Sequence, residues 1–164
     1  MTKPIDVSEI PPVVGTLYPP PFDRPCRMRE RKKLGDRAGL TQFGVNLLRL
    51  PPAAWSSQRH LHTHSDEFVY VLAGEVVLAS DEGEEVLRGG DAAGFRVGGK
   101  ICHCLQNRSN AEVLVLEIGS RFRDDSGYYS DIDMVAPAGG KLATYTLADG
   151  TPYPATTRRG PQEN

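Results

Sequence analysis

The stretch RHLHTHSDEFVYVLAGEVVLAS, from Arg59 to Ser80, carries the strongest fold signal in this 164-residue chain. Its second half is dense in valine and aromatic residues and is interrupted only by Ala73-Gly74, which predicts two strands joined at a tight turn. Further short strands are predicted for EEVLRG, AAGFRV, HCLQN and AEVLVLEIG, with no long amphipathic helix between them. We therefore expect an all-β fold of about eight strands, closed into a barrel or jelly roll.

The chain on either side of these strands differs in composition. Residues 1–38 are rich in proline and charge, which interrupts helices and strands and predicts an extended N-terminal arm. Regular structure is expected to begin near Leu40, with TQFGVNLLRL as the first strand. This places a β-barrel at residues 39–148 and a C-terminal tail at 149–164.

Composition and charge exclude several classes of protein. Apolar residues make up 39% of the chain and charged residues 24%, as expected for one globular domain. A net charge of -2 gives no field that would attract nucleic acid or an anionic membrane. The N-terminus lacks the apolar run of a signal peptide and no window is apolar enough to span a membrane, so we expect a cytoplasmic protein. The three cysteines are expected to be free thiols.

Three of the four histidines lie at alternate positions of this stretch: His60, His62 and His64. On a strand they share one face, and two imidazoles with the carboxylate of Glu67 would give a metal site open to water or substrate. His103, the fourth histidine, lies about forty residues downstream on another predicted strand and can complete the ligand set from another wall of the barrel.

The spacing of these residues resembles two sequence motifs of the cupin superfamily. Four positions match the first motif: His60, His62, Glu67 and Gly74. Four match the second when two residues are inserted before the histidine: Gly90, Gly98, His103 and Asn107. Ala54 stands where the first motif has glycine, and Arg96 stands where the second has proline. The resemblance extends from about Thr41 to Gly119 and is strongest to small bacterial single-domain cupins whose chemistry is mostly unassigned.

The resemblance implies a double-stranded β-helix, or jelly roll, in which one divalent ion is held by four residues: His60, His62, Glu67 and His103. Such a ligand set suits Fe, Mn, Ni or Zn and leaves coordination positions for a small molecule. Similar cupins include dioxygenases, isomerases and lyases that act on small organic acids or sugars. We therefore expect a metal-dependent enzyme acting on a small polar metabolite; a non-catalytic ligand-binding or sensing cupin with a structural metal is the alternative.

Neighbouring residues receive other interpretations. His64 falls outside the motif and is interpreted as a residue of the rim or one that supports the ligands, with ligation in place of His60 as the alternative. Cys102 and Cys104 flank His103 and, by alternation, should point away from the metal. Three arginines could hold an anionic substrate but are interpreted as solvated side chains: Arg49, Arg59 and Arg96. Because single-domain cupins commonly pair through their outer sheets, a homodimer is also expected.

Overall fold

The computed structural model describes residues 4–138, 144–154 and 156–161. Positions 139–143 of the predicted barrel, and 155 and 162–164 of the predicted tail, lie outside the described residues. Twelve strands occur in the described part: β1 (Val13–Val14), β2 (Glu30–Lys33), β3 (Phe43–Leu50), β4 (His60–His62), β5 (Glu67–Ala73), β6 (Glu75–Ser80), β7 (Gly83–Arg88), β8 (Ala92–Phe95), β9 (His103–Gln106), β10 (Val113–Ser120), β11 (Gly127–Tyr129) and β12 (Met134–Ala136).

Helical structure is limited in the described residues to α1 (Leu34–Arg37) and two 3-10 turns, Val7–Glu9 and Arg24–Cys26. None of these helices has the length and apolarity needed to cross a membrane.

The strands form two antiparallel sheets of six strands each. The first has the order β1-β2-β3-β10-β5-β8, and the second has the order β12-β11-β4-β9-β6-β7. Strands adjacent in each sheet are mostly distant in sequence, as in a jelly roll, so each sheet depends on long-range pairing. The expected all-β jelly-roll class is confirmed, with more strands than the eight expected.

The tight turn at Gly74 joins two sheets instead of two paired strands. β5 pairs with β10 and β8, whereas β6 pairs with β7 and β9. The two strands and the tight turn between them are as predicted from the sequence, but the strands enter different sheets and do not pair with each other. Gly74 has φ +85, and a Cβ there would lie 2.7 Å from the carbonyl oxygen of Glu112, so the backbones approach closely at this crossing.

Regular structure begins well before Leu40, which corrects the predicted start of the first strand. β2 pairs with β3 of the same chain, in a register that places Lys33 opposite Asn46. β1 then pairs with β2 at the edge of the sheet. The prolines of this region lie outside both strands, so they do not prevent the pairing.

The end of the described chain returns to the N-terminal segment. Thr16 and Arg159 exchange two backbone hydrogen bonds, of 3.1 Å and 2.8 Å. Gly15, at φ +80, permits this approach because a Cβ would overlap the carbonyl group of Arg159. The N-terminal and C-terminal segments therefore support each other.

The main apolar core lies between the two sheets and consists of inward-facing side chains: Leu48, Leu50, Ala54, Val69, Val71, Val76, Leu87, Leu105, Val113 and Val115. Along β5 the core residues Val69 and Val71 alternate with exposed ones, which is the expected pattern of a sheet with one solvated face. A second cluster joins the N-terminal segment to the β11–β12 region: Tyr18, Cys26, Tyr129 and Met134.

Candidate metal centre

Three strands bring the predicted ligands together beside the core. β4 carries His60 and His62, whose side chains share a face because strand residues alternate. His103 on β9 is the cross-strand partner of His60, and their ring centroids lie 5.2 Å apart. Glu67 faces them from β5 in the other sheet, with the same parity as the buried Val69. The two sheets thus contribute to one site.

The ligand atoms converge on the carboxylate of Glu67. Its oxygens lie 3.1 Å from Nε2 of His103, 3.5 Å from Nε2 of His62 and 3.8 Å from Nε2 of His60. In the described part of the chain, His60, His62 and Glu67 form a group whose ligand atoms all lie within 4.8 Å of one another. Two donors bound at about 2.1 Å to one ion lie roughly 3.0–3.5 Å apart, so a single ion fits among them.

The Nδ1 atoms of two histidines have partners outside the site. Nδ1 of His60 lies 3.0 Å from the carbonyl oxygen of Gln58, and Nδ1 of His62 lies 2.5 Å from Oδ2 of Asp125. Both acceptors require the imidazole proton on Nδ1, which leaves the lone pair on Nε2 directed into the site. This is the tautomer that binds a metal through Nε2.

Burial and neighbouring charges set the protonation states of two of these residues, His60 and Glu67. Burial lowers the pKa of His60 to about 4, so its imidazole is neutral at ordinary pH. Burial raises the pKa of Glu67, but the hydrogen bond from His103 and the electrostatic attraction of the neighbouring imidazoles outweigh burial and lower that pKa to about 2. Neutral imidazoles and an ionised carboxylate are the forms that ligate transition metals.

His103 is oriented by packing. Its ring stacks on Phe95, with centroids 3.3 Å apart and planes 3° from parallel. Its Nδ1 is buried and has no hydrogen-bond partner among the described residues. Its Nε2 is nevertheless directed at Glu67, which places it with the other donors. His103 therefore lies beside the group of His60, His62 and Glu67, whose ligand atoms are close enough together to hold a metal ion.

The other sequence predictions concern residues outside this group. His64 lies beyond the end of β4, where its side chain is exposed and bonds to the hydroxyl of Thr63. Its backbone N–H donates to Asp125, the carboxylate that orients His62. Cys102 and Cys104 are buried free thiols, and neither lines the cavities at the ligands. Burial raises the pKa of Cys104 to about 11, which keeps the thiol protonated.

The three arginines considered from sequence lie in different surroundings. Arg49 pairs with two carboxylates, Glu30 and Glu112. Arg59 pairs with Asp131. Arg96 lines a cavity of about 640 Å³ that reaches His62, Glu67 and His103 from the β7–β8 side. Of these three arginines, only Arg96 borders a space that contains ligand residues.

A second cavity, of about 410 Å³, opens onto the four predicted ligands from the other side, and we call it the basic cavity. Four cationic side chains line it: Arg29, Arg31, Lys33 and Arg121. Three carboxylates accompany them: Asp36, Glu67 and Glu117. Leaving the histidines aside, the four cationic side chains exceed the three carboxylates by one positive charge. A bound divalent ion would make the cavity more positive.

The basic lining was not predicted from the sequence because residues 1–38 were interpreted as an extended arm. A signal was present, however: Arg29, Arg31 and Lys33 occupy alternate positions of RMRERKK and so share one face of a strand. Once β2 joins the sheet beside β3, that face points into the basic cavity.

Comparisons with known proteins agree with this architecture. A cupin domain matches residues 46–119 of the chain. A solved structure from Silicibacter pomeroyi, described as a sugar phosphate isomerase of the cupin superfamily, is 39% identical with a TM-score of 0.88, covering 93% of this chain and 98% of that chain. Another from Acidithiobacillus ferrooxidans, provisionally described as a sugar phosphate isomerase, is 29% identical with a TM-score of 0.68, covering 75% and 77%.

A polyketide cyclase from Streptomyces resistomycificus is 19% identical with a TM-score of 0.58 over 73% of this chain and 80% of that chain, a likeness of fold alone. A comparison with curated proteins found no match. The double sheet, the His-Glu group and the 39% identity define the class: the chain belongs to the cupin superfamily.

Proposed function

We propose that this cupin is a metal-dependent enzyme that acts on a small polar metabolite, with the ion held by four residues: His60, His62, Glu67 and His103. One observation carries the proposal: three imidazole Nε2 atoms face one carboxylate at the wall of an open cavity. A buried structural ion would not need such an opening.

A divalent ion in this site would supply a Lewis acid for a carbonyl or hydroxyl oxygen of the substrate. Four protein ligands leave about two positions of an octahedral ion for that substrate. The protein's own contribution is to orient the ligands through Gln58 and Asp125 and to keep His60 neutral by burial. Fe, Mn, Ni and Zn are all compatible with this donor set.

Among dioxygenase, isomerase and lyase reactions, we favour isomerisation of a sugar-like substrate. The 39% identical protein from Silicibacter pomeroyi is described as a sugar phosphate isomerase. The basic cavity also offers polar groups suited to hydroxyls, among them Asn46, Ser56 and Ser57. Aldose–ketose isomerisation breaks one C–H bond and forms another with no net oxidation, so it requires no redox partner.

The metal is tested by elemental analysis of protein made without a histidine tag or chelator. We expect about one transition-metal ion per chain in the wild type. His62→Ala and His103→Ala should each lose most of it, whereas His64→Ala, the matched control, should retain it. A wild type that remains metal-free after reconstitution with Fe, Mn, Ni and Zn would overturn the proposal.

The reaction is tested with metal-loaded protein and a panel of phosphorylated aldoses and ketoses in D₂O, followed by NMR. Interconversion of an aldose and a ketose that is absent in His62→Ala would support isomerisation. Oxygen consumption by the iron-loaded protein would point instead to a dioxygenase. Saturable binding without turnover would favour the non-catalytic, ligand-binding alternative.

We further propose that the protein forms a homodimer through the outer face of the first sheet. Phe68, Tyr70 and Leu72 point outward along β5 and are 43%, 40% and 47% exposed. Three large apolar side chains in a row on one strand form a patch of the kind that commonly marks a protein interface. Their alternation with Val69 and Val71 keeps the patch separate from the core.

A further inference from the structure

Two cations at the rim of the basic cavity share a single counter-ion. Lys33, at the end of β2, lies 3.7 Å from Oδ2 of Asp36, and Arg121, just after β10, bonds to Oδ1 of the same carboxylate. All three side chains are about half exposed. Arg121 is also held by the carbonyl oxygen of Leu40, at 3.0 Å from Nη1. The group therefore carries one unbalanced positive charge in a fixed place.

The other cations of the cavity have permanent partners. Arg31 makes two hydrogen bonds to Glu117, of 2.6 Å and 2.8 Å. Arg29 donates to the backbone carbonyl oxygens of Gly15 and Ser56. These contacts join β2 to the remainder of the barrel, so an anionic ligand would have to compete with structural bonds at Arg29 and Arg31.

A row of small residues connects the ligand group to this rim. Glu67 on β5 is in register with Gly119 on β10, and Gly119 is in register with Gly44 on β3. Both glycines line the basic cavity. A Cβ at Gly44 would come within 3.4 Å of Nη2 of Arg121, so the guanidinium lies directly over the glycine backbone. The sheet thus leaves an open path from Glu67 to Arg121.

The length of this path limits what could occupy it. Two steps between neighbouring strands span about 10 Å. A small phosphorylated sugar or acid has a comparable length from its carbonyl group to its phosphoryl group. Lys and Arg together are the usual ligands of a phosphoryl group, since they supply charge and several N–H donors.

We propose that Lys33 and Arg121 form a phosphoryl-binding subsite, joined by the Gly119–Gly44 path to the ligand group, and that Asp36 occupies this subsite when no substrate is bound. The inference rests on the proposed function and adds to it a substrate class: a phosphate monoester whose reacting oxygens lie at the Glu67 end. Asp36 then acts as a built-in competitor that the phosphoryl group displaces.

The test uses inorganic phosphate as the probe and isothermal titration calorimetry of the full chain, stripped of metal so that phosphate cannot bind an ion. Lys33→Met and Arg121→Met should each weaken phosphate binding about three- to tenfold. Asp36→Asn should strengthen it by a similar factor because the competitor is gone. Arg49→Met is the control: it removes a comparably exposed arginine from the outer face of β3 and should change nothing.

Opposite signs for Asp36→Asn and Arg121→Met would not arise from a purely structural ion pair, since both substitutions break the same contact. Phosphate binding that is undetectable, equal in all variants, matched by acetate, or lost only in His62→Ala would overturn the subsite. Metal content, measured separately, tests the proposed function, so the two proposals can fail independently.

Discussion

Asp125 shows how one residue behind the site can govern a ligand. Its Oδ2 accepts from Nδ1 of His62, and its Oδ1 accepts from the backbone N–H of His64 at 2.8 Å. The hydrogen bond from the His64 backbone orients the Asp125 carboxylate, and that carboxylate in turn orients the imidazole ring of His62. Nδ1 of His103 has no such partner in the described residues, and its ring depends on Phe95 instead. The two histidines are therefore held by different forces, directional bonding and stacking.

Asp125→Asn should weaken metal binding about 10- to 100-fold with the fold intact. The amide keeps the shape but removes the charge that favours the Nδ1–H tautomer of His62. Asp124→Asn, at the exposed neighbouring carboxylate, is the control and should bind metal as the wild type does. Competition against a fluorescent chelator measures both constants. Equal affinities in the two variants would show that Asp125 has no orienting role.

The unfolding free energy of the metal-free protein should decrease as the pH is lowered below about 6.5. The unfolded chain protonates His60 near the ordinary histidine pKa of 6.5, whereas burial lowers the pKa in the folded state to about 4. Between these values the unfolded state binds more protons, so acid favours unfolding with a slope approaching ~1.4 kcal/mol per pH unit for this group. Glu67, whose pKa is lowered from 4.5 to about 2, extends the loss to lower pH.

Urea denaturation at a series of pH values measures this slope. His60→Gln should flatten it between pH 6.5 and 4 because the titrating group is gone. His64→Gln removes an exposed histidine and should leave the slope unchanged. A profile in which both variants behave alike would contradict the assignment to His60.

At the level of strands and turns, the crossings between sheets determine which side chains meet. β5 leaves the first sheet at Ala73, and β6 enters the second sheet at Glu75, so one glycine makes the transition. β4 and β9 then meet in the second sheet, and β5 and β10 meet in the first. The turn at Gly74 places β5 and β6 in different sheets, and Glu67 of the first sheet faces His103 of the second.

Gly74→Ala should destabilise the fold by on the order of 3 kcal/mol. The left-handed backbone costs about 1–2 kcal/mol for an alanine, and contact with the Glu112 carbonyl adds to that cost. Gly90→Ala is the matched control, because Gly90 has φ +103 but open space around its Cα, and it should cost only the backbone part. Denaturant unfolding of both variants gives the difference. Equal losses of unfolding free energy in the two variants would show that the close approach to the Glu112 carbonyl does not constrain position 74.

In the molecule as a whole, the N-terminal segment contributes to both the fold and the cavity. β2 extends the first sheet by pairing with β3. Together with the residue before it, β2 supplies Arg29, Arg31 and Lys33 to the lining of the basic cavity. Tyr18 and Cys26 join this segment to the second cluster, where Tyr129 also stacks on the ring of His60 with centroids 5.7 Å apart. Removal of this segment should therefore affect the metal centre as well as stability.

The dimer is a prediction about the assembled protein. If the outer face of the first sheet is the interface, a variant carrying Tyr70→Lys and Leu72→Lys should elute as a folded monomer, because buried ammonium groups lack partners there. Light scattering should give twice the 17.9 kDa chain mass for the wild type and a single chain mass for this variant. Phe122→Lys, at a 65% exposed side chain elsewhere, is the control and should remain dimeric. A wild-type mass of 17.9 kDa in solution would contradict the predicted dimer.

Features that depend on short-range spacing could be predicted from the sequence. Alternation on a strand placed His60 and His62 on one face, and valine-rich segments marked β5, β6 and β10. The register of His60, His62, Glu67 and His103 with the motifs indicated a shared site, and the jelly-roll class followed from short strands without helices. The strand predictions need only local geometry, which neighbouring residues specify.

Features that depend on residues far apart in sequence emerged only from the folded chain. Asp125 meets His62 from 63 positions away, and Glu117 meets Arg31 from 86 positions away. The Gly119–Gly44 path exists only through the register of β10 with β3. Strand composition specifies that a segment pairs but says little about its partner, because backbone hydrogen bonds are the same for every sequence and packing across the whole barrel selects the pairing.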